Sequence, residues 1–170
     1  MTDTITFIAN LAIALSFIVG LIFGIVQVKA AARDRRERLT LETLRAFHSR
    51  EFVELMHYVI YQDMPINQEG LLKLPVHDQT SLVQFSQEME SLGILVAEGL
   101  INLDLVDKTL GSFVTTAWQK YKTLFLDARE NLPDPFLGEY FQWLAERIEE
   151  RMRLNPRKPF YLSNTANVIG

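Results

Sequence analysis

Hydrophobic positions fall along the chain in two regimes. From Ile5 to Val28 there is no charged residue, and 18 of the 24 positions are apolar. Beyond residue 28 the apolar residues recur at spacings of three and four, the period of a helix with one buried face. As a helix the first run is about 36 Å long, against a bilayer hydrocarbon core of about 30 Å. The pattern therefore predicts a transmembrane helix over 5–28 that crosses with some tilt. A secretory signal peptide is the competing reading, and Ala30-Ala31-Ala32 resembles a cleavage site. Against it stand an acidic start, Met1-Thr2-Asp3-Thr4, and a run longer than the usual apolar stretch of about 7–15 residues, followed at once by Lys29 and Arg33. A retained anchor is expected.

The helical pattern continues after the run. Leu41, Leu44 and Phe47 extend it, with no Gly or Pro between Gly24 and Pro65. Ser49 is placed to cap a helix that turns Phe52, Val53, Met56, Val59 and Ile60 inward. Residues 63–79, punctuated by Pro65, Gly70 and Pro75, read as a loop. Thr80 or Ser81 is expected to cap a helix to about Glu98, with Leu82, Phe85, Met89, Leu92 and Val96 on one face and Gly99 closing it. Asn102 caps a short helix that Gly111 interrupts, and a longer one follows with Val114, Trp118, Tyr121, Leu124 and Phe125 inward. Asp134-Pro135 opens the last helix, whose buried stripe reads Phe136, Tyr140, Trp143, Leu144 and Ile148, with Glu149 and Arg153 paired on its outer face. It stops at Asn155-Pro156. No segment alternates with period two over a useful length. The expected fold is all-α: a single N-terminal transmembrane helix followed by a cytoplasmic bundle of about five helices. The expected divisions are a short extracytoplasmic N-terminus (1–4), the transmembrane helix (5–28), a basic juxtamembrane helical segment (29–48), the helical bundle (49–154) and a mobile tail (155–170).

Charge adds orientation. Lys29, Arg33, Arg35, Arg36 and Arg38 follow the apolar run, while Asp3 alone precedes it. The positive-inside rule places the body in the cytoplasm and the N-terminus outside. The same five residues have a second reading as contacts for lipid headgroups. Within the run, Ala12, Ser16, Gly20 and Gly24 recur every four residues and include a GxxxG, a stripe that lets membrane helices approach closely. Self-association, or pairing with another membrane protein, is expected beside the lipid bilayer itself. Residues 39–170 hold 12 Lys and Arg against 18 Asp and Glu. A helix–turn–helix can be drawn across Gly99, but its second helix carries Asp104 and Asp107, which phosphate repels, so no nucleic-acid partner is expected.

Candidate chemistry is sparse along the chain. The chain has no cysteine, which excludes a disulfide scaffold and Cys-ligated zinc or iron–sulfur sites. The histidines are His48, His57 and His77, with no HExxH. Glu54 to His57 is an ExxH, but the second copy that di-iron bundles use is absent, and no metal or cofactor is expected. Arg50 and His57 resemble the Arg/His pair of helical ribonucleases found in bacterial toxin systems, in which Arg holds phosphate and His moves a proton. Glu51, beside Arg50, opposes that use, and the pair is a weak catalytic candidate. No GxSxG elbow or phosphate-binding glycine loop occurs. Glu88, Glu90 and Glu98 read as solvated positions. The aromatic residues from Trp118 to Trp143 read as packing between the last two helices, with a ligand pocket as the alternative.

Three segments carry a resemblance: Arg35 to Arg38 leading to Thr43-Leu44-Arg45, the run Leu92 to Ile101, and Phe141 to Arg147. Together they resemble a family of small bacterial proteins classed as a domain of unknown function, over roughly residues 5–150 without the 63–79 loop. The resemblance implies an N-terminal membrane segment, a helical cytoplasmic domain and residence in the bacterial inner membrane. It brings no catalytic residues. The functional expectation is a protein-interaction or scaffolding module at the membrane, more an interaction protein than an enzyme, with a toxin or defence component or a small-ligand sensor as alternatives.

Overall fold

A computed structural model describes residues 2–132 and 134–159. Among these the chain forms six helices and no strand: α1 (Thr2–Ala46), α2 (Arg50–Tyr61), α3 (Gln68–Leu72), α4 (Val76–Ala97), α5 (Leu103–Asn131) and α6 (Glu139–Leu154). Most of the tail expected to be mobile, residues 160–170, lies outside the described residues. The all-α expectation holds.

Helix α1 runs 45 residues without a break, so the apolar run and the basic segment are one rod about 68 Å long. The apolar part is exposed, and an 18-residue window in it reaches a mean hydropathy of 2.6 with none of it buried against the described residues. The rod meets the body over its C-terminal part, from Arg36, which donates to the Ile101 carbonyl, to Leu44, which is buried like Phe47 just after it. At the end of the basic segment, Leu39, Leu44 and Phe47 pack into the core cluster of the bundle.

The core lies between α4, α5 and α6, with α2 and the end of α1 closing one side. All five apolar positions expected of α4 are buried, and so are Val114, Trp118, Tyr121, Leu124 and Phe125 of α5. In α2, Phe52, Leu55 and Val59 are buried, whereas Val53, expected inward, is exposed. A chain of ring contacts crosses the body: Phe47 to Phe52 at 4.7 Å, Phe52 to Phe113 at 5.8 Å, Phe113 to Phe85 at 5.7 Å and Phe85 to Phe141 at 5.8 Å. Most are edge-to-face, the arrangement ring quadrupoles favour. The aromatic residues thus join the end of α1 to α6, a wider role than packing between the last two helices.

Several boundaries differ from expectation, each for a structural reason. Helix α4 starts at Val76 behind Pro75, because the Thr80 and Ser81 hydroxyls donate back to the Val76 and His77 carbonyls instead of capping. Within the 63–79 segment, Asn67 caps the short α3, and the Gln68 N–H donates to Asp127 of α5 at 2.9 Å. Gly111 does not interrupt α5. A Cβ there would lie 2.6 Å from Asp107 Oδ1 and 3.5 Å from Ile148, so the glycine makes room for a buried carboxylate and for α6. Asp134-Pro135 opens a single turn that ends at Gly138, and α6 begins only at Glu139. Gly138 takes a left-handed φ of 69° and has no room for a Cβ beside the Phe125 ring. This shift makes Phe141 the core residue and leaves Phe136 exposed. Glu149 accepts from Gln119 of α5 at 2.9 Å, in place of the expected pairing with Arg153.

Helices α4 and α6 cross at close range. A Cβ on Gly93 would lie 2.3 Å from the Tyr140 carbonyl oxygen, so backbone meets backbone there. Three residues earlier, Glu90 accepts from the Tyr140 and Phe141 N–H groups at 3.2 and 2.9 Å. Gly138 has no side chain with which to cap α6, and Glu90 does so from the neighbouring helix. Glu90 is therefore a capping residue, not part of a solvated face. Gly93→Ala is expected to force α4 and α6 apart at a cost of about 1–3 kcal/mol. Thermal unfolding of the detergent-solubilised protein, followed by near-ultraviolet circular dichroism, should show the corresponding fall in Tm.

Candidate functional site at the junction of α1 with the bundle

The basic stretch sits where the rod meets the body. Arg33 is paired with Glu37 one turn on, at 2.9 Å, and its side chain is largely exposed. That partner holds the guanidinium pKa above its ordinary value, by the hydrogen bond first and by charge second. Arg36 instead reaches the body, donating to the Ile101 carbonyl at 3.3 Å. Thr40 is fully buried. Its hydroxyl donates to the Arg36 carbonyl at 2.7 Å and accepts the Asn102 N–H at 3.0 Å. Asn102 in turn caps α5, accepting the Asp104 N–H at 2.8 Å. One small hydroxyl thus fixes α1 to the start of the central helix. The charge cluster in the sequence did not single out Thr40; its position one helical turn after Arg36 is the signal.

The remaining candidates are scattered. Ala12, Ser16, Gly20 and Gly24 lie on the exposed part of α1, and a Cβ at either glycine would meet nothing within 4 Å. Lys29, Arg35 and Arg38 are exposed along the same rod. Arg50 and His57 stand on the outside of α2: Arg50 is bound to Glu54 at 2.8 Å, and the His57 ring lies 4.6 Å from Tyr61. This also occupies the glutamate of the ExxH. Among the described residues, no group of three or more His, Asp or Glu could hold a metal ion.

Sequence reasoning missed one feature and raised a second only as an alternative. Asp107 is a buried carboxylate on α5, with Arg157 at 3.3 Å and Arg151 at 3.7 Å. Arg157 follows α6, so the first residues of the expected mobile tail are tied to α5. Neighbouring Asp104 binds Lys108 and Arg151, and its pKa is held below the ordinary carboxylate value, chiefly by the Lys108 hydrogen bond. The second feature is an apolar cavity of about 230 Å³ between α3, α4 and α5, lined by Leu71, Leu82, Leu124, Ala128 and Tyr121 among others. Tyr121 is buried, and its hydroxyl has no hydrogen-bond partner. Burial first, and Tyr58 second, push its pKa up, so the group stays a neutral donor.

The family described as Domain of unknown function (DUF4760) matches residues 14–148, from the middle of the apolar run to near the end of α6. The chain belongs to this family. The DUF4760 match runs through residues 63–79, which the resemblance in the sequence leaves out, and includes Thr40, Glu90, Gly93 and Asp107. No curated protein and no solved structure matches the chain.

Two outcomes follow from this geometry. Thr40→Val keeps the shape but leaves the Asn102 N–H without its acceptor, and is expected to cost about 1–3 kcal/mol. Amide exchange should then quicken at Asn102 and over Leu39–Ala46. The Asp104 contribution is present at neutral pH and is lost as pH falls through its depressed folded-state pKa. Asp104→Asn should therefore lower Tm at pH 7 and narrow its gap to the unmodified protein in acid, read by unfolding scans across the acid range.

Proposed function

We propose that the chain is a single-pass inner-membrane protein whose helical body faces the cytoplasm and serves as an interaction module held at a fixed distance from the bilayer. The single observation that carries this reading is the unbroken α1, which passes from the apolar run straight into the core at Leu44 and Phe47. A flexible tether would let a domain sweep a volume, whereas a continuous helix sets both its height and its rotation. The basic residues that follow the run support the orientation.

In this reading the span also pairs with a second copy of itself through Ala12, Ser16, Gly20 and Gly24. Gly20 and Gly24 are open to close approach. Packing of small residues drives such pairing in lipid.

Two experiments test these points. Because the chain lacks cysteine, Val83→Cys gives a single thiol on the exposed part of α4. A membrane-impermeant maleimide should leave it unlabelled in intact cells and label it once the membrane is opened. Labelling in intact cells contradicts the orientation. Crosslinking in membranes should give a dimer that Gly20→Leu with Gly24→Leu abolishes; an undiminished dimer contradicts pairing through this stripe.

Small-ligand sensing is a second reading, favoured by the cavity beside Tyr121. A cavity of about 150 Å³ already admits benzene, so a single substituted ring suits this one. A ligand of that kind should raise Tm in the unmodified protein and not in Ala128→Leu, which fills the space.

A further inference from the structure

The turn between α4 and α5 lies against the basic part of α1. Gly99 and Leu100 form one wall of an open cleft of about 820 Å³, and the other wall includes Ala31, Arg33, Arg35 and Arg36. Leu100 is 48% exposed at the tip of the turn, where a φ of 68° at Gly99 reverses the chain. Among the described residues, no carboxylate lines the cleft. The nearest acids in sequence are Asp34 and Glu37 on α1 and Glu98 at the end of α4, with Glu37 engaged by Arg33. Arg36 uses one nitrogen to bind the Ile101 carbonyl, which holds the turn against α1.

Height along the rod decides what the cleft faces. Ala31 follows Val28, the last residue of the apolar run, by three residues, or about 4.5 Å of helix. The polar layer on each side of a hydrocarbon core is about 5–8 Å thick. If the run crosses the bilayer, the near end of the cleft, at Ala31 and Arg33, opens at the level of the headgroups, while Arg36 starts about 12 Å beyond Val28 with its side chain leaning back toward them, as helical side chains lean toward the N-terminus, and the exposed leucine stands at the rim. We infer that the α4–α5 turn is a second membrane contact, with Leu100 inserted into the interface and Arg33 and Arg36 holding the phosphate of an anionic phospholipid in the cleft. The guanidinium fork suits phosphate oxygens, and the leucine suits the acyl boundary beside them. This rests on the membrane-spanning reading of α1.

Two single-cysteine variants, Leu100→Cys and Phe17→Cys, carry a nitroxide in the full chain in nanodiscs of phosphatidylcholine with one quarter phosphatidylglycerol. Collision with oxygen and with a water-soluble nickel chelate reads depth. The Phe17 label should sit in hydrocarbon and the Leu100 label at the interface. A Phe17 label in water overturns the span itself; a deep Phe17 label with Leu100 in water overturns the second contact alone. Native mass spectrometry then counts retained lipids. The unmodified protein should retain phosphatidylglycerol over phosphatidylcholine, and Arg33→Gln, which breaks no contact with the bundle, should cut that preference about fivefold. Equal retention of the two lipids, or a preference that Arg33→Gln and Arg36→Gln together leave intact, overturns the headgroup site.

Discussion

Thr40 carries the connection on which the rest of the structure depends. Its hydroxyl, sealed from solvent, takes the Asn102 N–H at the start of α5 and gives its own proton to the helix that carries the apolar run. Helix α5 is packed by α1, α2, α3 and α6, so an arrangement fixed at its first residue is passed to most of the body. A buried donor without its acceptor is costly, and this gives the joint its specificity. Phe47 and Phe52 then extend the joint into the aromatic core.

The second constraint is the crossing of α4 and α6. Gly93 removes the side chain that would separate the two backbones, and Glu90 supplies the cap that the α6 N-terminus lacks. The two effects reinforce each other. Close approach brings the carboxylate within reach of the N–H groups, and the carboxylate holds the approach. Lys120 plays the matching part at the other end of a helix, donating from α5 to the Val59 and Ile60 carbonyls at the close of α2. The helices of this body are thus finished by their neighbours as well as by their own caps.

Periodicity made much of this legible. The stripe Leu82, Phe85, Met89, Leu92, Val96 names the buried face of α4 without error, and Ser49 and Asn102 cap as their residue types suggest. What sequence reasoning missed depends on contacts between distant segments. Gly111 inside a helical pattern reads as a break, and Gly93 drew no reading of its own, but both are places where another group comes too close for a Cβ. A glutamate off the apolar stripe, as Glu90 is, reads as solvated until a helix N-terminus is known to lie beside it. Asp134-Pro135 is a sound opening for a turn, yet nothing local says that Gly138 will reverse the chain before the helix begins. Of the candidate site, the basic cluster was visible as charge, while the role of Arg36 and Thr40 needed the position of Ile101 and Asn102.

One continuous helix joins the apolar run to the helical body. Hydrogen exchange of the full chain in nanodiscs tests it directly at the amides of Lys29 to Ala46, where the rod leaves the apolar run and enters the body. A continuous helix predicts slow exchange across the whole stretch, approaching that of the α4 and α5 core amides toward Ala46. Fast exchange over residues 29–38, between two protected regions, would show a flexible tether and contradict the account.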